Sequence, residues 1–396
     1  MRALAPLLLA AGCVDGDLTG VDRAVVVHLV SIDDLGTGHY EVAEHQLPEL
    51  DDLATLHGTR IAFVGRPTLR FDGALDTVSC GTVTVDPGAL DLRVTVEHGA
   101  AIARDERSFA MLGAYHELSL VLARAEEVTG VTRDEFHTGP MPVNFEPTLA
   151  VDDIREDGKT NAFYETCSDS FGLLRPSQTL ALDLAYNAQV LAHELGHAYF
   201  QRTFTAADGE CAPNGQPDFP GRFSTEDDIA GLNEGFADIF SFVLLGTTAV
   251  LNDPLGSSHF TGQRAIAPTV PNYVFFSGAA PECEHDHYCL GTEVARSLYD
   301  GYIADGHDPH DPEARAQLGR DLLAALPLLP AVMRGYGDLS APGQDQLACK
   351  LSKESSSAPQ FFRALVENLP AARRPALCAA MRHHLAQRMP VIGACP

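Results

Sequence analysis

The stretch AYNAQVLAHELGHAYFQRTF, residues 185–204, constrains the fold of this chain more than any other segment. His193 and His197 are four residues apart, and residues at this spacing lie on one face of a helix. The two imidazole rings can therefore meet at a single point. Asn187 is placed to cap the start of the helix, and leucines on the other side can bury against the protein. The segment predicts a partly buried helix that presents two nitrogen ligands.

Glu194 adds a carboxylate to this predicted ligand pair. It is turned from His193 by about 100° around the helix, so it can reach a water molecule held by a metal ion on the histidines. This is the HExxH pattern of zinc enzymes, in which the glutamate acts as general base. The pattern predicts Zn2+ as the cofactor, and a catalytic zinc ion needs a third protein ligand.

A second helix is predicted over STEDDIAGLNEGFADIFSFVLLG, residues 224–246, and it offers that ligand. Glu234 and Asp238 are again four apart on one face. Glu234 is the candidate third ligand, while Asp238 can accept the remaining N–H of a ligand histidine. The small residues Gly235 and Ala237 would allow the two helices to approach closely.

The motifs HELGH at 193–197 and NEGFAD at 233–238 together resemble the thermolysin-like zinc metallopeptidases, including their fungalysin-type relatives. The resemblance implies that His193, His197 and Glu234 bind zinc and that Asp238 orients a histidine. It implies a peptide or protein as the substrate.

Two further segments extend the resemblance. TNAFYE at 160–165 is similar to an edge strand of the family, which implies that Asn161 and Ala162 hold the substrate backbone. HYCLGTEVARSLYD at 287–300 is similar to a later family segment, which implies that His287 stabilises the transition state. His285 is an alternative for that role, and both histidines could instead be solvated.

The predicted fold class is α+β, and the resemblance implies a two-lobed zincin with a β-rich N-terminal lobe and a mainly α-helical C-terminal lobe. Short apolar or alternating runs follow one another from residue 14 to residue 103, and a helix is predicted over 108–128. TLALDLA at 179–185 is a further predicted strand. The predicted regions are a signal peptide (1–12), a β-rich region (13–107), an upper catalytic lobe with the HELGH helix (108–224) and a helical lower lobe (225–396).

The N-terminus, MRALAPLLLAAGCVDG, is typical of a short bacterial lipoprotein signal, in which Cys13 would carry a lipid anchor. This predicts an exported protein held at the membrane only by that anchor, periplasmic or at the cell surface. The alternative is a plain secretory signal and a secreted protein. The other eight cysteines form an even number, which favours disulfides in an exported chain.

The charge balance excludes one class of partner. Against 54 acidic residues there are 27 basic ones, which gives a formal net charge of −27 and no basic block. Nucleic acid is therefore not an expected partner. His383 and His384, near the C-terminus, are expected on a solvated helix face.

The predicted function is hydrolysis of peptide bonds by a zinc metalloendopeptidase through a metal-activated water. The alternative is a degenerate peptidase fold that keeps zinc and acts as a ligand- or protein-binding lipoprotein. One departure from the family pattern favours this alternative. Members of the family often have a catalytic tyrosine between the two ligand helices, and the nearest candidate in this sequence is Tyr199, which belongs to the HELGH helix itself. Intact Glu194 favours the enzyme.

Overall fold

The computed structural model describes residues 26–34, 39–72, 82–97, 100–151, 154–156, 162–165, 168–174, 184–208, 225–248, 266–267, 287–328, 365–384 and 395. Within these ranges the fold is mixed α+β, with β-sheets in the N-terminal half and helices dominating the C-terminal half. The α+β class is therefore confirmed at this level. No helix in these ranges is long and apolar enough to cross a membrane.

The strands, numbered along the chain, are β1 (Val26–Asp34), β2 (His39–Gln46), β3 (Leu50–Asp52), β4 (His57–Gly58), β5 (Ile61–Gly65), β6 (Thr68–Asp72), β7 (Thr82–Asp86), β8 (Val94–Glu97), β9 (Ala100–Ala103), β10 (Met141–Phe145), β11 (Thr148–Val151), β12 (Ile154–Glu156), β13 (Ala162–Glu165) and β14 (Ser170–Leu173). The helices are α1 (Glu106–Thr129), α2 (Arg133–Phe136), α3 (Ala188–Asp208), α4 (Thr225–Leu245), α5 (His287–Ala304), α6 (Pro312–Ala325) and α7 (Arg374–His384).

The strands form three sheets with the orders β2-β1-β9-β8, β13-β14-β10-β5-β4-β3 and β12-β11-β6-β7. In the second sheet β5, β10 and β14 run parallel, and β13 is added antiparallel to β14. Strand β13 is therefore the edge of this sheet. It also packs against helix α3.

Two matched kinks join the second sheet to the third. Arg66 (φ 42°) separates β5 from β6, and Glu146 (φ 50°) separates β10 from β11. Each residue precedes a proline and occupies the left-handed region, which non-glycine residues rarely adopt. The Arg66 N–H donates to the carbonyl of Phe145 at 2.8 Å, and the Glu146 N–H donates to that of Leu173 at 2.7 Å. The similar stretches GRPTL and FEPTL thus become parallel neighbours that pass from one sheet to the next.

Helix α1 forms because both of its ends carry strong local signals. The side chain of Asp105 accepts a hydrogen bond from the Ser108 N–H at 2.7 Å, and Gly130 (φ 72°) ends the helix in the left-handed conformation. Most of the helix is buried, including its small polar residues. It packs against α3 and α6, so it supports the back of the helix that carries the two histidines.

The C-terminal helix α7 is bonded to α5, which shows that the expectation of a solvated His384 is wrong. Nδ1 of His384 lies 3.1 Å from a Glu293 oxygen, and Nε2 lies 2.6 Å from an Asp300 oxygen. His383 is exposed, as expected. Cys378 of α7 is paired with Cys395 in a disulfide, in agreement with the disulfides expected from the cysteine count.

Candidate metal centre

Helix α3 begins where the sequence predicts. The side-chain oxygen of Asn187 accepts hydrogen bonds from the N–H groups of Gln189 at 2.9 Å and Val190 at 3.2 Å, so Asn187 caps the helix. Leu191 and Leu195 are fully buried on the side away from the histidines. The helix is thereby fixed in rotation, and this fixes the direction in which both imidazoles point.

Small residues bring α4 against α3 and α5 against α4. A Cβ atom added to Gly196 would lie 2.7 Å from the Cα atom of Ala237. A Cβ atom added to Gly235 would lie 2.5 Å from the carbonyl oxygen of Gly291. Both distances are shorter than real Cβ contacts, so a side chain at either position would push the helices apart, and glycine allows these close crossings. As a result, the faces of α3 and α4 that carry the candidate ligands are in direct contact.

Three side chains meet at this contact. The Nε2 atoms of His193 and His197 are 3.0 Å apart. The Glu234 carboxylate places one oxygen 3.3 Å from His193 Nε2 and the other 3.6 Å from His197 Nε2. Neighbouring ligand atoms in a tetrahedral zinc site, with bonds of about 2.0–2.1 Å, are about 3.4 Å apart. The three groups could therefore hold one metal ion, and their spacing fits zinc.

The other nitrogen of each ring has its own acceptor. Nδ1 of His193 lies 2.9 Å from an Asp238 oxygen, and Asp238 is completely buried. Nδ1 of His197 lies 2.9 Å from the side-chain oxygen of Asn233. A hydrogen on each Nδ1 satisfies both contacts, and the lone pair of each neutral ring is then on Nε2.

The placement of these two hydrogens on Nδ1 determines whether a metal ion fits between the three side chains. Two Nε2 lone pairs and the Glu234 carboxylate then face one another in a largely buried space, and all three are electron-pair donors. Donors of this kind repel unless a positive charge lies between them. A histidine–histidine–carboxylate set with nitrogen and oxygen donors suits zinc well. Both the charge and the geometry of the site therefore fit a divalent cation.

Glu194 faces the edge strand of the second sheet. Its carboxylate accepts a hydrogen bond from the Tyr164 backbone N–H at 2.9 Å, and Tyr164 belongs to β13. The glutamate is mostly buried, and it lies beside His193 in the chain. The sheet edge and the candidate metal centre are thus connected through the residue predicted to be the general base.

The structure describes the four remaining predicted site residues to different extents. Ala162 is the first residue of β13 and is buried, on the strand that contacts Glu194. Asn161 and His285 lie outside the described residues. His287 is the first residue of α5, and the structure describes its backbone position but not its side chain. These four residues remain candidates from the sequence.

Tyr199 belongs to the core and not to the site. Its ring stacks on Phe136 with centroids 4.2 Å apart, and the residue is almost fully buried. Burial raises the pKa of Tyr199 to about 12. A phenol in this environment supports packing between α2 and α3, and it is not available to a substrate at the site.

Two contacts were not anticipated from the sequence. Asn233 orients His197, whereas the sequence pattern points only to Asp238 as a group that orients a histidine. The Tyr164 N–H donates to Glu194 from an element 30 residues away along the chain. Asn233 is adjacent to Glu234, so its position beside the ligand was a usable signal. The Tyr164 contact uses a backbone atom, for which no residue type provides a signal.

Comparison with protein-family models found no matching model, and comparison with curated proteins found no match. The functional argument therefore rests on the geometry of the site and on the resemblance of its motifs.

Proposed function

We propose that this protein is a zinc-dependent peptidase with the two-lobed architecture of the zincins. The observation that carries the proposal is the convergence of His193, His197 and Glu234 beside the Glu194 carboxylate. In this proposal those three residues hold Zn2+, while Asp238 and Asn233 keep the two imidazoles oriented for binding.

The proposed chemistry assigns each group a task. A zinc ion in such a site lowers the pKa of a bound water and polarises a carbonyl group. Glu194 accepts the proton of the attacking water and passes it to the leaving amine. The Tyr164 N–H orients the glutamate carboxylate for both transfers. His287, carried over from the family resemblance, donates a hydrogen bond to the developing oxyanion.

The edge position of β13 supports a peptide as the substrate. An extended peptide can add to a sheet edge through backbone hydrogen bonds, which select an extended main chain without selecting particular side chains. Ala162 is the first residue of this edge strand, and we assign it, together with Asn161 before it in the sequence, to the substrate backbone. Glu194 is close enough to bond the same strand, so a peptide on this edge would pass the candidate metal centre.

The second candidate is a zinc-binding protein without peptidase activity, which binds a ligand or a protein. The burial of Tyr199 in the core favours it, because that tyrosine cannot act on a substrate. For either candidate we propose export, with a lipid anchor at Cys13 as the only attachment to a membrane, or secretion if a plain signal peptide is removed.

Replacement of Glu194 by glutamine separates the two candidates. The amide keeps the shape of the side chain and can still accept the Tyr164 hydrogen bond, but it cannot take a proton from water. We expect wild-type protein to cleave an unstructured peptide mixture, a chelator to stop cleavage, and Glu194→Gln to lose at least about 10²-fold in kcat while it retains one zinc ion per chain.

Metal analysis by mass spectrometry and chromatography of the cleavage products provide the two readouts. A wild-type protein that binds zinc and cleaves no peptide would favour the binding protein. Near wild-type turnover by Glu194→Gln would refute the assignment of the general base. Full zinc content in both His193→Ala and Glu234→Ala would refute the metal site itself.

A further inference from the structure

A side-chain network connects the far end of helix α3 to the hairpin β13–β14. We call it the Arg202 clamp and define it by Arg202, Asp169, Tyr164 and Phe136. The guanidinium of Arg202 forms an ion pair with Asp169 and donates to the Phe136 carbonyl, and it also lies 4.7 Å from the centre of the Phe136 ring. One cation thus joins α3, the end of α2 and the hairpin.

Asp169 transfers this connection to the edge strand. It lies in the turn between β13 and β14 with φ 51°, a left-handed conformation that aspartate tolerates better than most residues. Its Oδ1 atom accepts a hydrogen bond from the Tyr164 hydroxyl at 2.6 Å, and its other oxygen faces Arg202. The two carboxylate oxygens therefore hold two different partners.

Tyr164 connects this network back to helix α3. Its side chain is bonded to Asp169, and its backbone N–H is bonded to Glu194. Glu194 and Arg202 both belong to α3 and are eight residues apart, which is about 12 Å along a helix axis. The hairpin is therefore fastened to the same helix at two points, one of which is the proposed general base.

A second possible cation near Asp169 does not replace Arg202. Nε2 of His137 lies 3.5 Å from the carboxylate, which is longer than a good hydrogen bond. Burial lowers the pKa of His137, and the charge of Arg202 acts in the same direction. Arg202 is therefore the group that carries the positive charge of the network.

We propose that Arg202 and Asp169 are positioning residues that hold the edge strand at hydrogen-bonding distance from Glu194. This inference rests on the proposed peptidase function for its kinetic consequence, but the structural coupling it describes does not. Arginine–carboxylate pairs of this exposure contribute little to folding stability, so the main effect of the clamp is on geometry. Small displacements of a catalytic group lower kcat strongly because the reacting atoms no longer align.

Two variants cut the clamp at different links. Tyr164→Phe removes only the hydroxyl and keeps the backbone N–H that reaches Glu194. Arg202→Met removes the cation and keeps the length of the side chain. Arg373→Met is the matched control, because Arg373 is similarly buried and its partners, Asp305 and Asp321, belong neither to the hairpin nor to α3.

The first readout is hydrogen–deuterium exchange of the Tyr164 amide, which requires no enzymatic activity. We expect exchange to become at least about 10-fold faster in both clamp variants and to stay unchanged in Arg373→Met. Zinc content should remain at the wild-type level in all three proteins. Unchanged exchange at Tyr164 in both clamp variants would overturn the inference, whatever the protein does to peptides.

The second readout is peptide cleavage. We expect kcat to fall about 10-fold in both clamp variants with KM changed less than about twofold, since the displaced group acts in the reaction and not in binding. A fall in kcat that is equally large in Arg373→Met would show a general loss of stability and would overturn a positioning role. If the wild type cleaves nothing, the proposed function fails, and the exchange experiment alone decides the clamp.

Discussion

Replacement of Gly196 by alanine is expected to weaken metal binding more than it weakens folding. The added Cβ would lie 2.7 Å from the Cα atom of Ala237 and 3.2 Å from its Cβ and carbonyl oxygen. Unbonded carbon atoms prefer separations of about 3.5–4.0 Å. These contacts are with backbone and a methyl group, which cannot rotate away, so α3 and α4 must separate locally by about 1 Å.

The position of this crossing determines the magnitude of the effect. Gly196 lies between His193 and His197, and Ala237 lies between Glu234 and Asp238. A local separation of the helices therefore moves the histidines away from the carboxylate ligand. Zinc sites tolerate changes in bond length of only about 0.2 Å, so a shift of about 1 Å should lower zinc affinity by 10- to 100-fold or more. That loss corresponds to at least about 1.4–2.7 kcal/mol.

Folding should change less, because two effects oppose each other. Overpacking costs about 1–3 kcal/mol, while alanine in place of glycine favours the helix by about 1 kcal/mol. Gly319→Ala is the matched control: its Cβ would meet Val243 Cγ1 at 2.9 Å, but a side-chain methyl group can move aside. Chelator competition gives the zinc affinity, and urea unfolding gives the stability. Wild-type zinc affinity in Gly196→Ala would refute the argument that this crossing sets the ligand distances.

Two further predictions concern buried charges. Asp238→Asn should lower zinc affinity by about 10- to 100-fold with the fold retained, because the amide still accepts from His193 Nδ1 but has no charge; chelator competition tests this, and unchanged affinity would contradict it. His384→Gln should cost about 1–2 kcal/mol at pH 6 and much less at pH 9. Burial by itself would lower the pKa of His384, but the hydrogen bonds and charges of Glu293 and Asp300 raise it overall. A raised pKa in the folded state contributes stability that is complete below the unfolded value of about 6.5 and disappears as pH rises through the folded value. Urea unfolding at both pH values, with a glutamine substitution at the exposed neighbouring histidine as control, measures the difference, and equal losses at both values would contradict the sign.

The helices around the site were predictable because their signals are local. Asn187 caps α3, and Gly246 (φ 75°) ends α4 as expected from the sequence. Helix α1 extends from Glu106 to Thr129, close to the predicted 108–128. Capping residues and apolar periodicity act within a few residues of one another, so a single sequence contains all the information that they need.

The pairing of strands into sheets was much harder to predict from the sequence. Each of the four apolar or alternating runs predicted as strands, AVVVHLV, RIAFVG, GTVTV and LRVTVEH, overlaps a strand of the structure. The parallel contact between β5 and β10, however, joins residues 80 positions apart. TLALDLA was predicted as a strand, yet Leu184–Tyr186 is a 3-10 turn. Residues 179–183 lie outside the described residues. Alternating apolar residues describe one face of a strand, but they do not specify its partner or its register.

The same contrast between local signals and tertiary packing holds for the candidate site. Spacing within a helix correctly brought His193 and His197 together, and the same spacing brought Glu234 and Asp238 to one face of α4. The distance between those two pairs was not encoded in either spacing. It depends on the crossing of α3 and α4, and hence on tertiary packing that the small residues at 196 and 237 allow.

The crossing of α4 and α5 links the segment HYCLGTEVARSLYD, residues 287–300, to the candidate metal centre. A Cβ added to Gly291 would lie 2.7 Å from the Cβ of Glu234 and 2.9 Å from the backbone nitrogen of Gly235. Helix α5 therefore rests on the stem of the third candidate ligand. Because α5 begins at His287, one turn before Gly291, the backbone of the proposed oxyanion donor is positioned by the contact that supports Glu234. Packing at Gly291 consequently acts on both groups at once, so a side chain introduced there should disturb zinc binding and the proposed transition-state contact together.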